Sequence, residues 1–174
     1  TSKSYTMIFE PFNRTRRVTF EFPSLALNAS QLSVVSSFKY LGHILSASTA
    51  DNDDIAHQMS LLYARANVLI RKFSKCSINV KLCLFRTYCT NFYGVALWKQ
   101  YNATALKRFK AAYVKCVKMF FGYDRMYSVT AMFVELGLPV FSTILHNAKC
   151  NFVASISVHA NSVVRVVHAV CAYP

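Results

Sequence analysis

The sequence predicts an α+β fold in which short antiparallel strands are followed by a mostly α-helical bundle. Up to residue 46, apolar residues alternate at every second position or stand in short runs, which is the pattern of strands. After residue 46 they recur every three or four positions, which is the pattern of helices that bury one face. The segment 38–45 holds one of only four glycines and lies where the first pattern gives way to the second.

Four segments in the first 46 residues favour strands. Residues 5–10 and the alternating segment 18–22 are each ended by a proline, which cannot donate to a ladder of hydrogen bonds. Further short strands are expected between residues 25 and 35, and 38–45 is predicted as the last strand. These strands are too few to enclose a core, so we expect them to form the edge of an antiparallel sheet.

The later part of the chain predicts five helices. Apolar stripes indicate helices over about 54–73, 77–92, 103–121 and 128–136, and a last helix from about residue 140. Glycines follow the third and the fourth of them, as is common at helix ends. The chain is therefore divided into residues 1–46, residues 47–137 and a C-terminal helical extension over 138–174.

Composition indicates a folded and strongly basic protein. Hydrophobic residues make up 54% of the 174 positions, which excludes a disordered chain. Twenty Lys and Arg against seven Asp and Glu give a net charge of +13, which favours nucleic acid over an anionic membrane surface as the partner. No transmembrane helix is predicted, because the most apolar long window, 150–172, contains an arginine and two histidines. The six cysteines form no C-x-x-C pair and are expected to be buried free thiols.

The predicted helix over 103–121 carries the most informative charges. Its basic residues fall within an arc of about 160° opposite its apolar stripe. No acidic residue lies between Lys99 and Phe121 to pair with them. We therefore interpret this face as one that follows a phosphate backbone, with an ordinary solvated face as the alternative. The residues are Lys107, Arg108, Lys110, Lys115 and Lys118.

Two groups of side chains suggest metal ligands: Asp51, Asp53 and Asp54 before the first helix, and Cys150, His159, His168 and Cys171 near the end. The aspartates stand where a helix begins, so capping and stabilisation of the helix dipole is the preferred interpretation. On a helix, Cys150 and His159 point to opposite faces, which does not suit zinc. No metal site and no self-contained catalytic motif is predicted.

Four segments resemble the C-terminal part of the reverse transcriptase of non-LTR (LINE-type) retrotransposons, from just after the catalytic aspartate motif through the thumb. Lys3-Ser4 before Met7-Ile8-Phe9 is similar to the family's N-x-x-K-[ST] segment, and residues 38–45 are similar to its F-x-Y-L-G-x-x-[LI]. Tyr93-Gly94 with Trp98 is similar to Y-G-x-x-x-W, and residues 135–139 are similar to a common downstream segment. The resemblance covers about residues 1–152.

The resemblance implies roles for particular residues. Lys3 matches a lysine near the phosphates of the incoming nucleotide, as a possible accessory to catalysis. Tyr40, Leu41 and Gly42 match the primer grip, a hairpin that holds the 3′ end of the primer. Residues 1–46 then form the end of a palm and 47–137 a thumb. The basic residues expected to follow the template–primer backbone are Arg65, Lys72, Lys107, Arg108, Lys110, Lys115 and Lys118.

The chain is thus expected to be a fragment of an RNA-directed DNA polymerase whose catalytic aspartates lie upstream, and to be inactive alone. The fragment is expected to bind no cofactor, and the intact enzyme to use magnesium. The implied partners are an RNA–DNA template–primer hybrid and the upstream palm and fingers of the same polyprotein. The implied location is intracellular, in nucleus and cytoplasm, with no membrane partner. The alternative is a non-catalytic helical remnant of a mobile element that binds nucleic acid or protein.

Overall fold

The computed structural model describes residues 4–9, 22–27 and 30–166. Within these residues the fold is mixed α+β, with short strands followed by longer helices, and this confirms the predicted class. Lys3 and almost all of the predicted strand over 18–22 lie outside the described residues.

The strands are two to four residues long and form three separate pairs in the described part of the chain. β2 pairs with β3 and β5 pairs with β6, both antiparallel, whereas β1 pairs with β4 in parallel. The strands are β1 (Tyr5–Thr6), β2 (Ala26–Leu27), β3 (Ser30–Gln31), β4 (Ser33–Val34), β5 (Ser37–Tyr40) and β6 (His43–Ser46).

Two predictions about the strands are wrong. The expectation of antiparallel pairing fails at β1 and β4, where Tyr5 stands opposite Ser33 and Thr6 opposite Val34 in parallel register. A parallel pair needs a long connection, and the chain between these strands is long enough to return in the same direction. The single strand that the apolar pattern predicted over 38–45 is instead a hairpin, as the resemblance implied, because the chain reverses at Leu41 and Gly42.

The predicted helices are confirmed to within a few residues at their ends. α3 matches its prediction at both ends, and Gly122 follows it with a φ of 79°. Ser128 caps α4 by accepting a hydrogen bond from the backbone N–H of Ala131 at 3.4 Å. The helices are α1 (Asn52–Phe73), α2 (Ile78–Cys89), α3 (Ala103–Phe121), α4 (Val129–Leu136) and α5 (Phe141–Ser157), with a short 3-10 helix at Val95–Leu97. In the described ranges, no single helix has both the length and the hydropathy to cross a membrane.

The chain divides into two compact units, each made of two stretches of sequence. Unit 1 comprises Thr1–Leu61 and Lys99–Phe109, and unit 2 comprises Leu62–Trp98 and Lys110–Pro174. In unit 1 the first part of α1 buries Ile55 completely, together with the polar side chains of Asp54 and Gln58. The division into residues 1–46, 47–137 and 138–174 stays a prediction.

An aromatic cluster fills the core of unit 2. Tyr113 of α3 is fully buried and stacks on Phe133 of α4, with ring centroids 5.8 Å apart. Phe85, Phe92 and Phe141 lie about the same ring at 6.0 to 6.1 Å. Such pairs contribute about 0.5–1.5 kcal/mol each beyond the burial of apolar area. The hydroxyl of Tyr113 donates to the carbonyl of Pro139 at 2.9 Å, so the polar end of the ring is satisfied as well.

Two cysteines lie in the same core as free thiols. Cys89 and Cys116 are almost completely buried, and burial raises the pKa of Cys89 to about 12 and that of Cys116 to about 11. The prediction of buried thiols is thus confirmed for these two residues. It is wrong for Cys83 and Cys150, which lie on exposed faces of their helices.

The two buried thiols make stability depend on alkaline pH. A thiol of the unfolded chain has an ordinary pKa of 9.0. In the folded protein the thiol of Cys116 stays protonated up to about pH 11 and that of Cys89 up to about pH 12. The free energy of unfolding should therefore fall as pH rises through this window, by about 1 kcal/mol per thiol at one pH unit above the ordinary thiol pKa. Urea denaturation at a series of pH values measures this slope.

The double variant Cys89→Ala/Cys116→Ala should have a shallower slope than the wild-type protein. Cys83→Ala is the matched control, because its thiol is exposed and it should keep the wild-type slope. If the double variant and the control had the same slope, the buried thiols would not be its source.

Candidate nucleic-acid interface

The hairpin of β5 and β6 turns over two residues. Tyr40 pairs with His43, so Leu41 and Gly42 form the whole connection. Both have positive φ values, 47° for Leu41 and 86° for Gly42, as in a type I′ turn. This turn matches the right-handed twist of the strands on either side. The segment Tyr40-Leu41-Gly42 therefore stands at the tip of a well-formed hairpin.

Leu41 occupies a conformation that costs energy. The left-handed region disfavours side chains with a Cβ by about 1–2 kcal/mol, and asparagine or glycine is the usual residue at this place. The side chain of Leu41 is 71% exposed and that of Tyr40 is 56% exposed, so burial in the described structure does not offset this cost. Backbone strain of this kind is found mainly at active sites, ligand clamps and switch regions.

A buried carboxylate holds the hairpin against helix α1. One oxygen of Asp54, Oδ2, lies 2.9 Å from Nδ1 of His43, and the other, Oδ1, accepts a hydrogen bond from the backbone N–H of Ile44 at 3.0 Å. Asp54 is only 3% exposed and stands in the first turn of α1. The second strand of the hairpin is therefore fixed within unit 1 next to its turn.

The neighbouring polar residues fix the approach to α3. Oδ2 of Asp51 accepts from the backbone N–H groups of Lys99 at 2.8 Å and Gln100 at 2.7 Å. Oδ1 of Asn52 accepts from the backbone N–H of Asn102 at 2.8 Å. The start of α1 thus holds the segment that leads into α3, within the same unit.

The interpretation of the three aspartates needs a correction. Asp53 and Asp54 do lie in the first turn of α1, where a negative charge stabilises the helix. The hydrogen bonds of the carboxylates of Asp51 and Asp54, however, go to distant backbone and to His43. Sequence reasoning missed these roles because the partners lie 10 to 49 residues away. The sequence offered one local sign of a partner for an aspartate, the histidine His43 directly after Gly42.

Five of the predicted phosphate-contacting residues are exposed and free. In the ranges that the structure describes, their side chains make no hydrogen bond or ion pair with the protein. They can therefore approach a phosphate without breaking an internal interaction. They are Lys72 on α1 and Lys107, Arg108, Lys110 and Lys115 on α3.

The other two, Arg65 and Lys118, are engaged inside unit 2. Nζ of Lys118 donates to the carbonyls of Arg125 at 2.7 Å and Tyr127 at 2.6 Å. The guanidinium of Arg65 donates to the carbonyls of Tyr88 at 3.5 Å and of Asn91 at 3.4 Å, past the end of α2. These charges hold a loop and a helix end. The sequence carried no signal for this, because the acceptors are backbone carbonyls.

The loop between α3 and α4 is also held from the side of α4. Glu135 accepts hydrogen bonds from the hydroxyl of Tyr123 at 2.9 Å and from that of Tyr127. These bonds stabilise the carboxylate and lower the pKa of Glu135, while they raise the pKa of Tyr127. Both tyrosines therefore have a role within the fold.

The predicted residues are distributed over both units. Tyr40, Leu41 and Gly42 lie together at the tip of the hairpin in unit 1, and Lys107 and Arg108 lie in the same unit. The members in unit 2 are Arg65, Lys72, Lys110, Lys115 and Lys118. In the described part of the chain, no group of three or more His, Cys, Asp and Glu side chains is placed to hold a metal ion.

Comparisons with known proteins leave the family open. No protein-family model, no curated protein and no solved structure matches the chain.

Removal of the Asp54 carboxylate should destabilise the protein. Asp54→Ala leaves the N–H of Ile44 and the ring of His43 without this acceptor, which costs about 1–3 kcal/mol. A loss of this size should lower Tm by several degrees, at about 2–4 °C for each kcal/mol. Thermal unfolding followed by circular dichroism measures the change.

Asp53→Ala is the matched control. Asp53 is an exposed acid in the same turn, so its removal costs only its favourable interaction with the helix dipole, about 0.3–1 kcal/mol. Equal losses in the two variants would show that the hydrogen bonds of Asp54 contribute nothing beyond its charge.

Proposed function

We propose that this chain is part of an RNA-directed DNA polymerase of the non-LTR retrotransposon type, and that it holds the template–primer duplex. The observation that carries the proposal is the hairpin of β5 and β6. The segment that resembles the primer grip is folded as a hairpin, and its Tyr40, Leu41 and Gly42 stand at the exposed tip. The strained φ of Leu41 supports a functional role for this tip.

The chemistry of the tip suits the end of a nucleic-acid strand. Gly42 has no side chain, so a sugar can approach its backbone closely. The exposed ring of Tyr40 offers a face on which a base or a sugar can pack, an interaction worth about 1–3 kcal/mol per base. The bonds from Asp54 keep the second strand in place, so little conformational entropy is lost when the duplex binds.

The free basic residues supply contacts to the phosphate backbone. Lysine and arginine contacts to phosphates position a protein on a duplex and carry no sequence information. Double-stranded hybrids are recognised mainly by shape and by their backbone, which fits a surface with isolated lysines. In this proposal the chain binds template and primer in any sequence, and an upstream palm that carries the catalytic aspartates performs the polymerisation.

An apolar hollow in unit 1 supports a further partner. It measures about 290 Å³ and is lined on one side by Tyr5 and Phe38, whose rings lie 5.8 Å apart. The remaining lining residues are Met7, Phe9, Val35, Tyr40 and Leu45. In the main proposal the upstream palm covers the part of this face that Tyr5, Met7 and Phe9 form, and Tyr40 is left to the primer. In the alternative, the chain is a remnant of a mobile element and another protein occupies it.

Binding to an RNA–DNA hybrid should depend steeply on salt. Lys110→Ser/Lys115→Ser should weaken binding and lower the slope of log affinity against log salt by about one for each phosphate that is no longer neutralised. Fluorescence anisotropy with a labelled hybrid at several salt concentrations gives both quantities. Lys118 is left unchanged, because its removal would free the loop that it holds.

Lys75→Ser/Lys99→Ser is the control, since it removes two exposed lysines from outside the predicted surface. It should keep the wild-type slope. Equal effects of the two double variants would show that binding depends on the net charge of the protein and not on the lysines of α3. A salt-independent affinity, or equal affinity for heparin, would contradict the proposal.

The tip of the hairpin should show a trade between stability and binding. Leu41→Asn places a residue that tolerates the left-handed region, so the free energy of unfolding should rise by about 1 kcal/mol. The same change removes an exposed apolar side chain that faces the primer in this proposal, so hybrid binding should weaken several-fold. Urea denaturation and anisotropy measure the two effects.

Thr49→Asn is a suitable comparison, because Thr49 also has a positive φ, 58°, but lies outside the hairpin. Its hybrid affinity should stay at the wild-type value. If Leu41→Asn bound the hybrid as tightly as the wild-type protein, the tip would have no part in holding the primer.

A further inference from the structure

Helix α5 carries a histidine and a cysteine on one face. His146 and Cys150 are four residues apart, which places them one above the other on successive turns. Nε2 of His146 lies 3.4 Å from Sγ of Cys150, and both side chains are exposed. The proposed nucleic-acid surface uses neither residue.

The distance between the two atoms is that of two ligands of one metal ion. Zinc binds sulfur at about 2.3 Å and imidazole nitrogen at about 2.0–2.1 Å, so two such ligands in a tetrahedron lie about 3.5 Å apart. A zinc ion can therefore bind both atoms with little movement of the helix. Ligands at positions i and i+4 on one helix face are also the arrangement of the two histidines in the H-E-x-x-H motif.

We propose that His146 and Cys150 form a two-ligand half-site for Zn²⁺ or a similar thiophilic divalent cation. On binding, the thiol of Cys150 loses its proton to solvent, the thiolate sulfur bonds to the metal, and the neutral imidazole donates the Nε2 lone pair. No third ligand from the described residues joins the pair, so water completes the coordination. The affinity is accordingly lower than that of a four-ligand site.

This pair differs from the group of possible zinc ligands that the sequence suggested. That group combined Cys150 with His159, His168 and Cys171, whose spacing does not place a ligand beside Cys150 on a helix. His146 was missed, although a separation of four residues is the one that puts two side chains on the same face.

The chain contains its own control for the test. Cys83 of α2 is also an exposed free thiol. The residues one turn away from it are Asn79 and Thr87, so no imidazole is offered at the spacing that pairs His146 with Cys150. A metal that binds any exposed thiol would act on both cysteines, whereas the half-site acts on Cys150 alone.

Alkylation measured by peptide mass spectrometry tests the proposal. The full chain, kept reduced by a phosphine, is treated with iodoacetamide with and without ZnCl₂ in excess over the protein. Zinc should slow alkylation of Cys150 by about tenfold, because only the free thiolate reacts. Alkylation of Cys83 should change by less than about twofold under the same conditions.

The variant His146→Ala should remove most of the protection while Cys150 remains reactive. Its helix content by circular dichroism should equal that of the wild-type protein, since His146 is exposed. With Co²⁺ in place of zinc, a sulfur-to-metal charge-transfer band in the near ultraviolet should appear in the wild-type protein and be absent in Cys150→Ser.

Three results would overturn the proposal. They are equal alkylation of Cys150 with and without zinc, equal protection of Cys83 and Cys150, and full protection in His146→Ala. The first shows no binding, the second shows binding to any exposed thiol, and the third shows that the histidine is not a ligand.

Discussion

The carboxylate of Asp54 is the group on which the proposed site depends most. A two-stranded hairpin is marginally stable in water by itself, and this one is four residues long on each side. Asp54 supplies an acceptor to the backbone of the second strand and a partner for His43, and it does so from a buried place in α1. The same helix start holds the segment before α3 through Asp51 and Asn52. One short stretch of polar residues therefore organises unit 1.

Unit 2 is built on a different principle. Its centre is an aromatic ring, that of Tyr113, around which α2, α4 and α5 contribute phenylalanines. Two of its basic side chains, Arg65 and Lys118, satisfy backbone carbonyls of a helix end and of loops. The basic residues behind the net charge of +13 thus include side chains that stabilise the fold and side chains that are free to contact a polyanion. Only the structure distinguishes the two kinds.

The helices could be predicted well because each carries an apolar stripe with the helical period. In α3, Phe109, Tyr113 and Val117 recur at every fourth position along the apolar stripe, and all three are buried. The strands could not be predicted as well, because a strand of only two residues leaves almost no periodic signal in the sequence. The direction in which two strands pair also depends on residues that are far apart in the chain. The hairpin was expected only from the resemblance of residues 38–45 to a known segment. The apolar pattern of the same residues predicted one continuous strand. The hydrogen bonds of Asp54 join elements that are separate in sequence, and no local rule predicts them.

The division of the chain into two units has a consequence for the order of folding. Unit 1 is completed by residues 99–109, which follow the whole of the stretch 62–98 that belongs to unit 2. The side-chain oxygens of Asp51 and Asn52 accept from backbone N–H groups about fifty residues downstream. Bringing these distant parts of the chain together costs loop entropy before the hydrogen bonds form. During synthesis from the N-terminus, α1 and α2 emerge before these partners exist. The hairpin of β5 and β6 can thus form early, whereas unit 1, which carries it, closes only after residue 102 has been made.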